Sequence, residues 1–164
     1  MIRKLHHNAY RCRDSEETRR FYEDFLGLPL VQAFEIGRTK TGRETHALHT
    51  FYRLDDGSHL AFFEVPDMPF EFKPQHDFDL HIALEVEPDA LDRMFAKGKA
   101  EGREVRGVSD HKFIRSIYFR DPNGYVIELA AKVPGMERDM DPKLNHAREI
   151  LNGWQASKGK AKAA

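Results

Sequence analysis

The sequence predicts an α+β fold in which one strand–helix–three-strand unit occurs twice and a further helix follows at the C-terminus. Two observations favour this fold. Apolar alternation typical of strands and one amphipathic helix occur in the same order in residues 5–65 and 80–130. The stretch between them, residues 66–78, contains three prolines and has the composition of a linker. We therefore predict a first module at 1–66, a linker at 67–78, a second module at 79–132, and a C-terminal helix with a disordered tail at 133–164.

The first module begins with a strand at residues 5–12. A helix follows, with Asp14 or Ser15 as its N-cap, acidic residues in its first turn and Gly27 at its end. Alternating apolar residues then predict three strands, at residues 30–36, 47–53 and 59–65.

The second module repeats this order. A strand at 80–86 precedes a helix at 88–99, whose apolar residues Leu91, Met94 and Phe95 recur at helical spacing. Three strands are predicted to follow, at residues 104–107, 113–119 and 125–130.

A further helix is predicted after Pro134. Its apolar stripe is expected to pack against the body of the protein or against a second subunit. The stripe consists of Leu144, Ala147, Ile150, Leu151 and Trp154. The lysine-rich end of the chain, residues 158–164, is expected to be disordered.

Composition excludes several classes of function. The 164 residues carry a formal net charge of -1, which favours neither nucleic acid nor an anionic membrane as a partner. The single cysteine, Cys12, cannot form an intrachain disulfide, fits the cytoplasm, and is expected to pack rather than to act as a nucleophile. Nine histidines make metal or acid–base chemistry worth considering.

The segment from His111 to Glu128 carries the most chemical information. Asp121-Pro122-Asn123-Gly124 has the residue order of a type I turn closed by a left-handed glycine. Counting outward from that turn sets Tyr118 opposite Glu128, so both side chains point to one face of a sheet. A glutamate in an apolar strand either lies exposed at a sheet edge or, if buried, needs a cation or hydrogen bonds.

Comparison of the two modules suggests a metal site. Aligning their first strands sets His7 against His81, and aligning their last hairpins sets Ala61 against Glu128. A pseudo-twofold axis would then bring His7, His81 and Glu128 together. Two imidazoles and one carboxylate with open positions suit a catalytic divalent metal, above all non-haem Fe(II). A lone strand histidine is more often a hydrogen-bonded core or rim residue, and a register slip of one residue would exchange His7 for His6.

Three segments give the chain a family resemblance: LHHNAYRC in the first strand, EETRRFYEDFLGLPL in the first helix, and IYFRDPNGYVIEL in the last hairpin. Together with the repeat, they resemble the vicinal oxygen chelate superfamily over residues 3–132. The resemblance implies paired βαβββ modules that form a U-shaped mixed sheet around a metal. It places the metal ligands on His7, His81 and Glu128.

Within that superfamily, the segment from His111 is most similar to the type I extradiol dioxygenases. The resemblance assigns His111 and Tyr118 to the pair that hydrogen-bonds the substrate and oxygen. His76, in the linker, is the nearest candidate for the acid–base histidine, and His49 and His59 are weaker ones. The chain departs from that group in its two-module length and at Ser109.

We therefore expect a cytoplasmic enzyme that cleaves a catechol-type aromatic diol with O₂. Its metal would be Fe(II), with Mn(II) the next choice, and the chain would form a dimer or higher homo-oligomer. The alternatives are a glyoxalase-like lyase, an epoxide-opening enzyme of the fosfomycin-resistance type that uses Mn(II), and a protein that binds a small aromatic molecule without catalysis.

Overall fold

A computed structural model describes residues 1–158 and confirms the α+β class. Its eight strands form two four-stranded sheets, and the rest of the described chain is helix, turn and loop. The chain divides into two compact units. The first unit comprises Met1–Ile82 with Phe119–Ile127, and the second comprises Ala83–Tyr118 and the residues from Glu128 onward.

The first sheet has the order β1-β4-β3-β2. Strand β1 pairs parallel to β4, and the other neighbours are antiparallel, so the sheet is mixed. Its strands are β1 Tyr10–Cys12, β2 Leu30–Arg38, β3 Glu44–Arg53 and β4 His59–Glu64.

Strand β1 is shorter than the sequence predicts. His7 is joined to His59 by a single parallel bridge, and the regular strand starts only at Tyr10. Between His7 and Tyr10, the side-chain Oδ1 of Asn8 accepts a hydrogen bond from the Ala61 backbone N–H at 3.1 Å. Because a side chain takes the place of a backbone partner there, the ladder is interrupted.

The first helix begins where the residue types predict. The Asp14 side chain accepts a hydrogen bond from the Glu17 backbone N–H at 2.8 Å, which makes Asp14 the N-cap. Helix α1, Ser15–Arg19, continues as a π-helical segment, Arg20–Phe25. Tyr22 in that segment is fully buried, and its ring packs 4.7 Å from that of Phe62 on β4. This side of the first sheet is therefore its core side.

The hairpin turn at residues 121–124 is confirmed. The Asp121 N–H donates to the Tyr125 carbonyl at 2.9 Å, and Gly124 has a φ of +97°. A Cβ at Gly124 would overlap the Lys73 carbonyl, so the turn requires glycine for space as well as for its backbone angle. The carboxylate of Asp121 accepts the Tyr22 hydroxyl at 2.8 Å, and burial raises the pKa of Asp121.

The second sheet has the order β5-β8-β7-β6. Helix α2, Pro88–Ala100, follows β5, begins with a proline and buries Leu91 completely. The strands are β5 His81–Glu85, β6 Val105–Asp110, β7 Ile114–Arg120 and β8 Val126–Lys132.

The C-terminal region forms two helices where the sequence predicts one. Helix α3, Met136–Asp139, ends before Pro142. Helix α4 spans Ala147–Lys158, and at its start the Asn145 side chain accepts a hydrogen bond from the Ala147 N–H at 3.0 Å. Proline lacks the N–H and disfavours helix before it, which explains the break. The predicted apolar stripe is exposed: Leu144, Ile150, Leu151 and Trp154 are 46–68% accessible, so packing against the body is wrong for these residues.

The predicted disordered tail lies outside the described residues, apart from Lys158, which ends α4. Across residues 1–158, none of the helices combines the length and the hydropathy that crossing a bilayer would require.

Candidate functional site

Tyr118 and Glu128 meet on one face of the second sheet, as the hairpin register predicts. The Tyr118 hydroxyl lies 3.4 Å from Oε1 of Glu128, a long hydrogen bond. Glu128 is only 5% exposed. The alternative of an exposed glutamate at a sheet edge is therefore wrong, and the carboxylate is a buried group that needs polar partners.

His111 contacts Tyr118. Its Nε2 lies 2.8 Å from the Tyr118 hydroxyl, and the two rings meet edge to face. The turn between β6 and β7 holds His111 in place: the His111 N–H donates to the Ile114 carbonyl at 2.9 Å, and Asp110 accepts the Lys112 N–H at 2.7 Å. His111 and Tyr118, which the resemblance assigns to one functional pair, are therefore hydrogen-bonded to each other.

Ser116 is a partner of Glu128 that sequence reasoning missed. Its hydroxyl donates to Oε1 of Glu128 at 2.5 Å, and its side chain is completely buried. The alternation of side chains along a strand could have identified it, because Ser116 lies two residues before Tyr118 and therefore points to the same face of β7. Gly107 on β6 lies close by: a Cβ there would be 2.7 Å from the Ser116 carbonyl oxygen.

These contacts form a hydrogen-bonded chain of four side chains within the second unit. A carboxylate only accepts, so Ser116 and Tyr118 both donate to Glu128. With its proton directed at Glu128, the Tyr118 oxygen accepts from Nε2–H of His111. The guanidinium of Arg106 lies 5.3 Å from the centre of the Tyr118 ring. The arrangement can hold a proton at His111 and orient a carboxylate at the other end.

The two predicted histidine ligands lie in the first unit. Nδ1 of His81 is 2.7 Å from the Asp77 carbonyl, which can only accept, so Nδ1 carries the proton. Metal-ligating histidines commonly donate their second N–H to a carbonyl in this way. Nδ1 of His7 lies 2.7 Å from Nδ1 of His6, the alternative metal ligand.

Within residues 1–158, no three His, Cys, Asp or Glu side chains are grouped so that they could hold a metal ion. The ligand set of His7, His81 and Glu128 therefore stays a prediction.

His76 takes part in a turn of the linker. Its Nδ1 accepts the Phe78 backbone N–H at 3.1 Å, and its ring lies 5.0 Å from that of Phe78. The side chain is exposed. Its acid–base role stays a prediction.

Cys12 is a buried thiol, 2% exposed. Burial raises its pKa to about 11, with hydrogen bonds from Ser15 and Thr18 acting in the opposite direction. A thiol with so high a pKa stays protonated near neutral pH, which fits a packing role better than a nucleophilic one.

The first sheet carries an aromatic face on the side away from Tyr22. We use the term aromatic face for Phe34, His49, Phe51 and Phe63. The His49 ring is stacked on Phe63 with the ring centres 3.6 Å apart. His7 lies at the edge of this face, 5.5 Å from Phe51.

The model of the Glyoxalase/Bleomycin resistance protein/Dioxygenase superfamily matches residues 4–129, and the chain belongs to this superfamily. No curated protein sequence matches the chain.

Solved structures share the fold. A glyoxalase/dioxygenase from Nostoc punctiforme is 24% identical with a TM-score of 0.61, over 80% of this chain and 92% of that one. Fosfomycin resistance protein FosX from Mesorhizobium loti is 23% identical with a TM-score of 0.61, over 84% and 98% of the two chains. FosX from Listeria monocytogenes, solved with Mn(II) and sulfate, is 23% identical with a TM-score of 0.58, again over 84% and 98%. Identities this low establish the shared fold alone.

Proposed function

We propose that this protein is an extradiol-type dioxygenase that uses Fe(II) to cleave a catechol-type aromatic diol with O₂. One observation carries the proposal: Nε2 of His111 lies 2.8 Å from the Tyr118 hydroxyl, which in turn lies 3.4 Å from Glu128. The resemblance to extradiol enzymes assigns His111 and Tyr118 to the substrate and oxygen, and Glu128 to the metal. Membership of the superfamily supports the proposal at the coarser level of a metalloenzyme.

The donor chemistry fits a divalent metal. His81 has its Nδ1–H directed to a carbonyl, which favours metal binding through Nε2. Glu128 is a buried carboxylate held by hydrogen bonds, an environment that suits a ligand to a cation. We propose His7, His81 and Glu128 as the residues that would hold the metal. When bound, Fe(II) would supply a Lewis acid for the diol and electrons for O₂.

The chain's own residues would perform the proton chemistry. His111 would hold a proton at Nε2 and donate it to an oxygen that gains negative charge. Tyr118 would orient that histidine and offer its hydroxyl to the substrate oxygen. Ser116 would fix the orientation of the Glu128 carboxylate through the 2.5 Å hydrogen bond. His76 remains our candidate for the acid–base residue from the linker.

Oxygen uptake tests the ring-cleavage activity. The protein would be loaded anaerobically with Fe(II), mixed with a panel of catechols, and followed for O₂ consumption and coloured ring-opened product. We expect uptake with at least one diol. An iron-saturated protein that consumes no O₂ with any diol would reject the proposal.

Substitution of His111 tests the residue assignment. His111→Phe should lower turnover by roughly 10²–10⁴-fold, the usual contribution of a general acid, with iron still bound. His46→Phe, an exposed histidine on β3, is the matched control and should leave turnover unchanged. Loss of iron from His111→Phe would mean that His111 has been given the wrong role.

Metal analysis tests the proposed ligand set and determines whether His7 or its neighbour His6 binds the metal. His7→Ala and His81→Ala should each lower the iron content, whereas His6→Ala should not. If His6→Ala loses iron and His7→Ala retains it, the register is shifted by one residue.

Two other functions would give distinct results in the same assays. Epoxide consumption with Mn(II), which the FosX fold prompts us to test, would indicate an epoxide-opening enzyme. Tight binding of a small aromatic that a chelator does not weaken, without turnover, would indicate a binding protein.

We also propose a homo-oligomer, a dimer or higher. The exposed apolar stripe of α4, which includes Ile150, Leu151 and Trp154, supports the proposal because exposed apolar patches commonly mark contact surfaces. Light scattering after size exclusion measures the assembly. Ile150→Lys should reduce it if the stripe is the contact.

A further inference from the structure

Basic and acidic residues are distributed unevenly along the chain. The formal net charge of the 164 residues is -1, but residues 143–164 contain five lysines and arginines and one acidic residue, Glu149. The remainder of the chain is therefore acidic. A basic segment that contains an amphipathic helix is typical of chains that contact an anionic surface. The overall charge, which favours no such partner, conceals this local excess.

Helix α4 lies in this basic segment and exposes its apolar stripe. None of its residues is buried, and Ile150, Leu151 and Trp154 are 68%, 46% and 63% exposed. Their spacing places these three side chains on one side of the helix. A contiguous exposed apolar surface of this kind commonly marks a contact with a partner or a membrane.

The charged side chains of α4 are arranged around the stripe. Lys158 comes four residues after Trp154 and so lies on the same side of the helix. Arg148 lies at the border of the stripe, one residue after its first helical member. Glu149 lies on the opposite side, with its carboxylate 3.1 Å from Nδ1 of His146. The apolar side of α4 therefore carries basic residues and no acidic one of its own.

Charge distinguishes the two occupants that would fit this stripe. A second copy of the chain would cover the apolar residues but would bring its own basic residues to the same place. An anionic lipid surface satisfies both features, because the apolar side chains enter the boundary of the acyl chains and the basic residues meet acidic headgroups. Asp139 is the one acidic residue that lines the groove beside Ile150 and Trp154, so the contact is expected towards the Lys158 end of the helix.

We propose that α4 is a reversible membrane-binding helix that attaches the protein to anionic lipid surfaces. Its apolar stripe would enter the interface, and Lys158, Lys160 and Lys162 would be attracted to the headgroups. The helix would lie in the plane of the surface, since no helix of residues 1–158 has the length and hydropathy to cross a bilayer. This attachment does not depend on the metal or on ring cleavage.

Trp154 is the single tryptophan of the chain and reports directly on the stripe. The full-length protein would be mixed with vesicles of equimolar phosphatidylserine and phosphatidylcholine, and with vesicles of phosphatidylcholine alone. We expect a blue shift of the tryptophan emission and co-sedimentation with the anionic vesicles, and much weaker binding to the others. Raising the salt from about 0.1 M to about 1 M shortens the Debye length from about 10 Å to about 3 Å and should release the protein.

One pair of variants tests the apolar part of the contact. Ile150→Ser removes an apolar side chain from the stripe and should weaken binding to the anionic vesicles about tenfold or more. Val31→Ser is the matched control, since Val31 is an apolar residue on β2 that is also exposed, and it should leave binding unchanged. Because neither side chain is buried, both variants should keep the wild-type melting temperature.

A second pair tests the charge. Replacing Lys158 and Lys160 by glutamine should weaken binding roughly 25-fold, because each basic residue near an anionic surface contributes about fivefold. Replacing Lys40 and Lys73 by glutamine removes the same charge from exposed positions outside the basic segment and should leave binding unchanged.

Each outcome supports or overturns the proposal. Weaker binding in Ile150→Ser and in the Lys158 and Lys160 variant, with neither control affected, supports it. A wild-type protein that does not bind anionic vesicles overturns it, and so does binding that is equal on phosphatidylcholine alone or that ignores either substitution. If the unbound wild-type protein is an oligomer and Ile150→Ser is a monomer, a second copy covers the stripe; the lipid contact is then overturned and the proposed homo-oligomer stands.

Discussion

The hydrogen bond from Ser116 to Glu128 gives the most direct test of the site's physical basis. Ser116→Ala removes a donor that lies 2.5 Å from a carboxylate oxygen, where the two side chains are 0% and 5% exposed. A hydrogen bond to a charged group contributes about 1.5–3 kcal/mol. For a chain of this size each kcal/mol shifts the melting temperature by about 2–4 °C, so we expect a fall of roughly 3–12 °C.

For the metal-free protein at neutral pH, urea unfolding measures the loss of free energy, and a thermal melt measures the fall in melting temperature. Ser109→Ala on β6 is the control, since the Ser109 hydroxyl makes no hydrogen bond within the described residues, and it should cost less than about 0.5 kcal/mol. Removing the charge with Glu128→Gln should reduce the cost of Ser116→Ala to about 0.5–1.5 kcal/mol, the range for a neutral pair. The reasoning is refuted if Ser116→Ala costs no more than Ser109→Ala, or costs the same with and without the Glu128 charge.

Two further predictions concern the first unit. Tyr22→Phe removes the buried hydroxyl that donates to Asp121 at 2.8 Å, and it should lower the free energy of unfolding by about 1–3 kcal/mol. Urea unfolding measures this loss, with Tyr10→Phe as the control. An equal loss in both variants would contradict the prediction. The pKa of His49 is lowered from 6.5, chiefly by burial, with the hydrogen bond to the Phe62 carbonyl acting in the opposite direction. The unfolded chain therefore binds the proton more tightly, and stability should fall as pH drops below about 6.5. His49→Phe should weaken that fall in a series of melts at decreasing pH, and an unchanged slope would show that other groups cause it.

The sequence predicted the elements whose causes are local. Asp14 caps its helix and Gly124 closes its turn because each residue type satisfies a backbone requirement at its own position. The duplicated order of strands and helices followed from apolar periodicity. The first strand was overestimated because Asn8 replaces a backbone partner by a side chain, which the alternation pattern does not reveal. The C-terminal break could have been predicted from Pro142.

In the candidate site too, the residues with a local cause could be predicted and the others could not. Tyr118 and Glu128 could be predicted to lie together because one hairpin fixes their register, and their contact is present. His111 was identified only through the family resemblance, and it contacts Tyr118. Ser116 lies on the same face but was missed, since serine in a strand carries no chemical signal until its partner is known.

The hydrogen-bonded chain of His111, Tyr118, Glu128 and Ser116 lies in the second unit, on the turn after β6 and on strands β7 and β8. His7 and His81 lie in the first unit, although His81 begins β5 of the second sheet. Substitution of His111 should therefore alter turnover and leave the iron content unchanged, whereas substitution of His7 or His81 should lower the iron content. A protein in which these effects could not be separated would require a site with a different division of roles.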